Sequence, residues 1–329
     1  MNLEFAKITK NKNIDYMKNY LDAEGGVYTF SYSKVTDFSN ILSFESTSGI
    51  TDMQSMFASS GELITVPLFD TSNVTNMSYM FENCTSLATV PQFDMSKVED
   101  ASWMFNCATG LVTIPEFDVS NISNMWGMFY GCSALTSAPY LNAINAKNVK
   151  GLFRKCTNLT TAEGLNCPNA TDLQEVFNMC TSLKSVGYLD TSSATDMEYM
   201  FWGCSSLVSL PELNMINATS GSQMLYGCSS LETVTIKNIK INLGLQENIK
   251  LTTDSLIGIC KECINTNSSK KLTIGTENTE KLANIYVRLT NESEEDANNP
   301  KLPCEVCSSS DSGAMTISAY MTLKNWTLA

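Results

Sequence analysis

The chain has 329 residues, 43% of them apolar and 17% charged, with a formal net charge of -13 and no histidine. That composition is globular rather than disordered, and the acidic balance, with arginine only at positions 154 and 288, excludes nucleic acid and anionic membranes, whose phosphates need basic neutralisation. Without histidine the commonest general base and the Ser-His-Asp and Cys-His systems are missing, no phosphate-binding glycine pattern occurs, and the chain reads as non-enzymatic.

In chain order, Met1 to Gly49 comes first, with a short helix expected over Ile14–Leu21 and strand-like alternation over Val27–Phe38. It reads as an N-terminal cap over a repeat array or as an attachment segment. Met1 to Lys10 lacks the basic start and apolar run of a secretory signal, and no stretch approaches 18 apolar residues. The expectation is a mature chain beginning at Met1, no membrane insertion, and a route outward other than secretion.

Phenylalanine then recurs at 57, 81, 105, 129, 153, 177 and 201, one every 24 residues, and Leu225 continues the series. Leu63, Leu87, Leu111, Leu135, Leu159, Leu183, Leu207 and Leu231 mark eight copies over residues 50–240. A fixed period of this size means units that bury their apolar faces only by stacking on one another. Within a copy, Val74, Met77, Met80 and Phe81 follow Asp70-Thr-Ser and predict a short amphipathic helix with an acidic or hydroxyl N-cap, while Leu87–Pro91 predicts a strand. Asp70, Asp94, Asp118 and Asp190 recur in one column and read as caps rather than catalytic carboxylates.

The phrase Asp-Thr-Ser-Asn-Val-Thr-Asn-Met-Ser-Tyr-Met-Phe-Glu-Asn-Cys-Thr-Ser-Leu, residues 70–87, resembles the BspA-like leucine-rich repeat of bacterial surface proteins. The resemblance covers residues 50–240 and agrees with the α/β fold that the repeat predicts, a leucine-rich-repeat solenoid of 24-residue strand-helix repeats, with residues 241–329 forming a separate small α/β C-terminal module. It also implies a binding scaffold of the kind used in adhesion. The pattern weakens in the fifth and sixth copies, where proline becomes Glu163 and Gly187 and the Asp-Thr-Ser phrase becomes Asn166-Cys167-Pro168, so the array should loosen there.

Residues 241–329 abandon the repeat, with a helix expected over Leu251–Ile259, a strand over Lys271–Gly275, a second helix over Thr279–Leu289, and a last helix and strand. The ending Lys324-Asn-Trp-Thr-Leu-Ala329, with Lys271–Leu282, resembles the terminal module of repeat proteins of phages and prophages of gut bacteria. That resemblance implies a virion protein leaving the cell by assembly and lysis. The stretch Asn291–Ser312 departs from the compact version of the module.

Cysteines fall into two groups. Cys84, Cys132, Cys156, Cys180, Cys204 and Cys228 share a column, with Cys107 shifted by one place, and read as reduced, buried small hydrophobes, whereas Cys167 has no partner in the pattern. Cys260-Lys-Glu-Cys263 and Cys304-Glu-Val-Cys307 are two Cys-x-x-Cys pairs open to three readings: a structural zinc site, disulfides, or separate thiols.

Two surface columns could serve recognition. One is the hydroxyl row running from Thr65 and Thr89 to Thr233. The other comprises Tyr79, Trp103, Trp126, Tyr130, Tyr199, Trp202 and Tyr226, which flank the Met-Phe pairs and should project from the helix layer to stack on sugars or a protein, or lie partly buried between copies. The favoured function is a bacteriophage virion surface protein recognising a bacterial surface glycan or protein, attached to virion structural proteins, with self-association left open. The alternatives are a bacterial cell-surface adhesin and a purely structural decoration protein.

Overall fold

A computed structural model describes residues 50–68, 70–248, 250–263, 270–289, 304–312, 314–324 and 326–328. The elements expected over residues 14–38 lie outside this set. The expected strand-helix solenoid is not what the chain forms. Among the described residues the three α-helices all lie beyond residue 252, and the strands form separate sheets of two or three strands each.

In place of a helix, each copy carries a run of hydrogen-bonded turns. Four amides in a copy donate to the next one: Met77, Tyr79, Phe81 and Asn83 bond the carbonyls of Asp100, Ser102, Met104 and Asn106 at 2.7–3.0 Å. Amides between them bond back three residues, as Met80 does to Met77 and Cys84 to Phe81, both at 3.2 Å. An α-helix would send every amide four residues back within its own copy. Two residues per copy also hold left-handed backbone, Tyr79 and Asn83 in one, Trp103 and Cys107 in the next, Gly127 and Gly131 after that, and a right-handed helix cannot contain them. Val74, Met77, Met80 and Phe81 are all buried, although the turns from Met77 to Cys84 repeat every two residues, closed by Met80→Met77, Glu82→Tyr79 and Cys84→Phe81.

The phenylalanines stack along the array. Successive centroids lie 5.3 Å apart from Phe57 to Phe81 and 5.6 Å apart from Phe153 to Phe177, with rings within 11° of parallel. Such pairs contribute about 0.5–1.5 kcal/mol each beyond area burial. The column cysteines lie beside the rings, and each thiol donates to the phenylalanine carbonyl of the preceding copy, Cys84 to Phe57 and Cys132 to Phe105, both at 3.1 Å. Thus the thiols, buried as expected, also tie copies together. Cys107 leaves this column for a left-handed turn position and Ala108 fills the core slot. Cys167 is not an orphan: its buried thiol reaches the Asp190 carbonyl at 3.5 Å, the role Thr71 and Thr191 play toward Asp94 and Asn214.

Loss of proline does the opposite of loosening. Strands β1 (Ser137–Asn142), β2 (Thr161–Asn166) and β3 (Ser185–Leu189) form a parallel sheet in the order β1-β2-β3, in repeat register from Ser137↔Thr161 to Leu165↔Leu189 with the column of Pro139, Glu163 and Gly187 skipped in the pairing. Copies that keep proline lack a ladder donor there and stay irregular, except β1, whose Pro139 sits on the edge strand. Gly187 is needed for this approach, since a Cβ there would lie 2.1 Å from the Glu163 carbonyl oxygen.

Beyond the sheet, β4 (Leu213–Asn214) pairs with β5 (Ile236–Lys237), and β6 (Leu243–Gly244), β7 (Lys270–Thr273) and β11 (Trp326–Leu328) form a parallel sheet in the order β11-β7-β6. Helix α1 (Thr253–Glu262) is capped by the Thr252 hydroxyl, α2 spans Gly275–Leu282, and α3 (Ile317–Leu323) precedes β11. The helix expected over residues 279–289 stops at Leu282, and its β-prone end becomes β8 (Tyr286–Leu289), which pairs antiparallel with β9 (Cys304–Cys307) and β10 (Met315–Thr316). The stack ends at Leu225, whose carbonyl, with that of Cys228, accepts the buried Asn248 side-chain amide at 3.1 Å. Lys324 is fully buried, its Nζ bonded to the Lys261 carbonyl at 2.7 Å and to Tyr320 Oη at 3.0 Å, and Trp326 lies in the core. Lys324 therefore ties the segment between α3 and β11 to α1. One hydrophobic cluster runs from Met53 to Trp326.

Two outcomes follow. Phe129→Ala opens a cavity in the middle of the stack and should cost about 3–5 kcal/mol in denaturant unfolding. Burial pushes Cys84 and Cys228 up to about 12, and the central thiols also rise. A folded-state pKa above the unfolded value of about 8.5 keeps full stability below that pH and loses it as pH rises toward 12. Stability should fall steeply above about pH 9, and Cys156→Ala with Cys180→Ala should flatten that slope. An unchanged slope would contradict the assignment.

Candidate functional site

The turn face carries the aromatics that the sequence singles out, and the structure sorts them into groups. Trp103, Trp126 and Tyr130 converge: Trp103 lies 5.0 Å from Trp126 and 5.6 Å from Tyr130 between centroids, tilted by 57° and 54°. Trp202 and Tyr226 form a separate stacked pair at 6.2 Å. Tyr79 and Tyr199 occupy left-handed turn positions in other copies and are half-buried. Trp126 and Tyr226 are exposed, while Trp103, Tyr130 and Trp202 are half-buried between copies. These residues project from turns, not from a helix layer.

The glycines beneath explain the larger group. Trp103 sits at a left-handed position with φ 58°, and the corresponding place in the next copy is Gly127, where a Cβ would come within 2.6 Å of the indole Cε3. The missing side chain is the seat of the ring. A bulky residue with positive φ carries strain of about 1–3 kcal/mol, and such strain concentrates where a side chain is put to use.

Cations border the group. Arg154 lies 5.5 Å and Lys155 5.4 Å from the Tyr130 centroid, within cation–π range. Arg154 is held by an ion pair to Glu175, which leaves its buried Nε without a hydrogen-bond partner, and Asn106 Oδ1 is likewise unsatisfied one copy earlier in the Tyr130 column. The patch therefore offers three rings with an exposed lysine beside them. That chemistry suits a ligand with a flat or apolar face and an anionic or hydroxyl-rich edge.

The acidic column does not cap helices. Asp70, Asp94, Asp118 and Asp190 accept the amides of Ser72, Ser96, Ser120 and Ser192 two residues on, at 2.9–3.1 Å, and so close local turns. Hydrogen bonds from the Ser72 and Ser96 side chains and amides hold Asp70 and Asp94 below the usual carboxylate range. A carboxylate so engaged is a poor acid or base. The Thr65 to Thr233 hydroxyl row lies on the strand side, half-buried to exposed.

Of the Cys-x-x-Cys pairs, Cys260 lies on α1 and Cys263 follows it, both buried, with the Cys263 thiol donating to the Ile259 carbonyl at 3.4 Å. Cys304 and Cys307 are the end residues of β9. Among the described residues no group of three His, Cys, Asp or Glu side chains gathers to hold a metal, and the Cys304 side chain is outside that set.

Sequence reasoning missed one surface feature. Tyr140 on β1 and Tyr188 on β3, both exposed, face each other across Gly164 on β2 with centroids 6.4 Å apart. The signal was legible: the three residues share a column, and tyrosine, glycine, tyrosine at a spacing of 24 is a gap between two rings.

Gly127→Ala puts a methyl group into the indole at a backbone conformation alanine resists, and should cost about 1 kcal/mol while forcing Trp103 outward. Greater acrylamide quenching of tryptophan fluorescence in the folded variant is expected. Unchanged quenching would mean that Gly127 does not seat the ring.

Comparison with curated proteins and with solved structures returned no match. Residues 27–142 and 147–242 match the family described as Mycoplasma protein of unknown function, DUF285, whose association with BspA-like surface repeats agrees with the repeat phrase at residues 70–87. With more than half of its length matched, the chain belongs to the DUF285 family.

Proposed function

We propose that the protein is a non-enzymatic recognition protein that uses the Trp103–Trp126–Tyr130 patch to hold a glycan or protein of a bacterial surface. The observation that carries this reading is the convergence of three rings and a lysine on one face, seated by Gly127. Aromatic side chains supply rigid contact area at small entropy cost, and the cations favour a partner with acidic or hydroxyl-bearing groups. The turn-closing role of the acidic column and the absence of histidine in the chain support a binding rather than a catalytic role.

Within this reading the chain acts on the surface of a bacteriophage particle. Support comes from the ending Lys324–Ala329 and its likeness to terminal modules of phage repeat proteins. Mass spectrometry of purified virions and of bacterial envelopes separates this from a cell-surface adhesin: recovery in envelopes alone rejects the virion assignment.

The test of recognition is binding of the fluorescently labelled full chain to a panel of gut bacterial cells, beside Trp103→Ala and Trp126→Ala. Strain-selective binding that falls about tenfold or more in each variant is expected, since a buried aromatic contact is worth at least ~1.4 kcal/mol at an interface centre. Equal binding by the variants would reject this patch, and no binding to any strain would favour a structural role in assembly.

A further inference from the structure

The strand side carries a second arrangement of opposite electrostatic sign. Tyr140 and Tyr188 are 44% and 49% exposed, and their rings meet at 42° with centroids 6.4 Å apart. Gly164 lies between them, and a Cβ there would meet the Tyr188 carbonyl oxygen at 2.8 Å and Tyr140 Cδ2 and Tyr188 Cβ, each at 3.0 Å, so the glycine makes room for the Tyr140 ring to lean across the strand toward Tyr188. In the same column, one copy outward on each side, stand Glu116 and Glu212. Glu163, exposed beside Gly164, and Asp190, two residues beyond Tyr188, complete an acidic border. Glu212 is paired with Lys237 at 2.8 Å, but among the described residues neither Glu116 nor Glu163 is in an ion pair. Lys184 is exposed on the segment leading into β3.

We propose that Tyr140 and Tyr188 form a binding site for an organic ammonium group. The negative faces of two inclined rings attract a cation lying within about 6 Å of each centroid. With centroids 6.4 Å apart, a cation ~5 Å from both would sit ~4 Å off the line joining them. The unpaired carboxylates of Glu116 and Glu163 strengthen the attraction and repel anionic ligands, as does the net charge of -13. A neutral sugar would use the rings but gain nothing from the acids. This site lies apart from the cation-bordered patch around Trp103 and takes a ligand of opposite charge.

The experiment is a titration of the full chain with choline and with Nα-acetyl-lysine methylamide, beside methyl glucoside as the neutral control, followed by NMR of the tyrosine rings. Shifts of Tyr140 and Tyr188 on adding either ammonium compound support the site, and the tighter compound distinguishes a choline-bearing polymer from a lysine side chain as the source. Tyr188→Ala and Tyr140→Ala should each weaken binding about threefold to thirtyfold, Tyr188→Phe should retain it, and Glu163→Gln should weaken it less. Trp103→Ala should leave it unchanged, so failure of the Trp103 patch and failure of this site read out separately. No response to either ammonium compound up to about 100 mM, or an equal response to methyl glucoside, would overturn the proposal.

Discussion

The hydrogen bond from one copy to the next is the constraint on which the rest depends. Because Met77, Tyr79, Phe81 and Asn83 donate to the following copy and not to their own, neighbouring copies must lie in register at one hydrogen-bond spacing. That spacing places the phenylalanine rings 5.3–5.6 Å apart, close enough to stack face to face. It brings the column thiols within reach of the preceding copy's carbonyl. Polar backbone satisfaction and apolar packing are thus imposed by one geometry, and a change in copy length would break both.

The same geometry builds the surface. Turns that alternate left- and right-handed backbone hold each outward residue at a fixed height, so chemistry differs by copy while the frame does not. A glycine at one left-handed position lets the indole of the previous copy lie flat, and a glycine in β2 lets two tyrosines converge across it. In both cases the arrangement of the rings depends on a side chain that is missing. The two patches differ in the charge of their neighbours, Arg154 and Lys155 at one, Glu116 and Glu163 at the other, so the two proposed sites would take ligands of opposite charge.

Much of the core was legible because period alone identifies it. Leucine, phenylalanine and cysteine columns recur without tertiary information, and each is buried. The element type differs from the expectation because Val74, Met77, Met80 and Phe81 satisfy a helical spacing, whereas Gly127, Gly131, Gly203 and Gly227 stand at positive φ, which a helix cannot hold. Glu163 and Gly187 looked like decay of the pattern, whereas the copies that carry them supply β2 and β3, two of the three strands of a parallel sheet. Cys167 could have been placed by aligning it with Thr71 and Thr191. Burial of Lys324 had no local signal, because a lysine enters a core only where partners from distant segments, here the Lys261 carbonyl, await it.

Native-state hydrogen exchange across residues 70–130 tests the copy-to-copy bonding most directly. The account predicts that the amides of Met77, Tyr79, Phe81 and Asn83 exchange together with those of Ala101, Trp103, Phe105 and Cys107, at one free energy of opening, because each set is bonded to the next copy. Independent exchange of each copy, with protection rising toward the middle of residues 74–81 as in a separate helix, would contradict it.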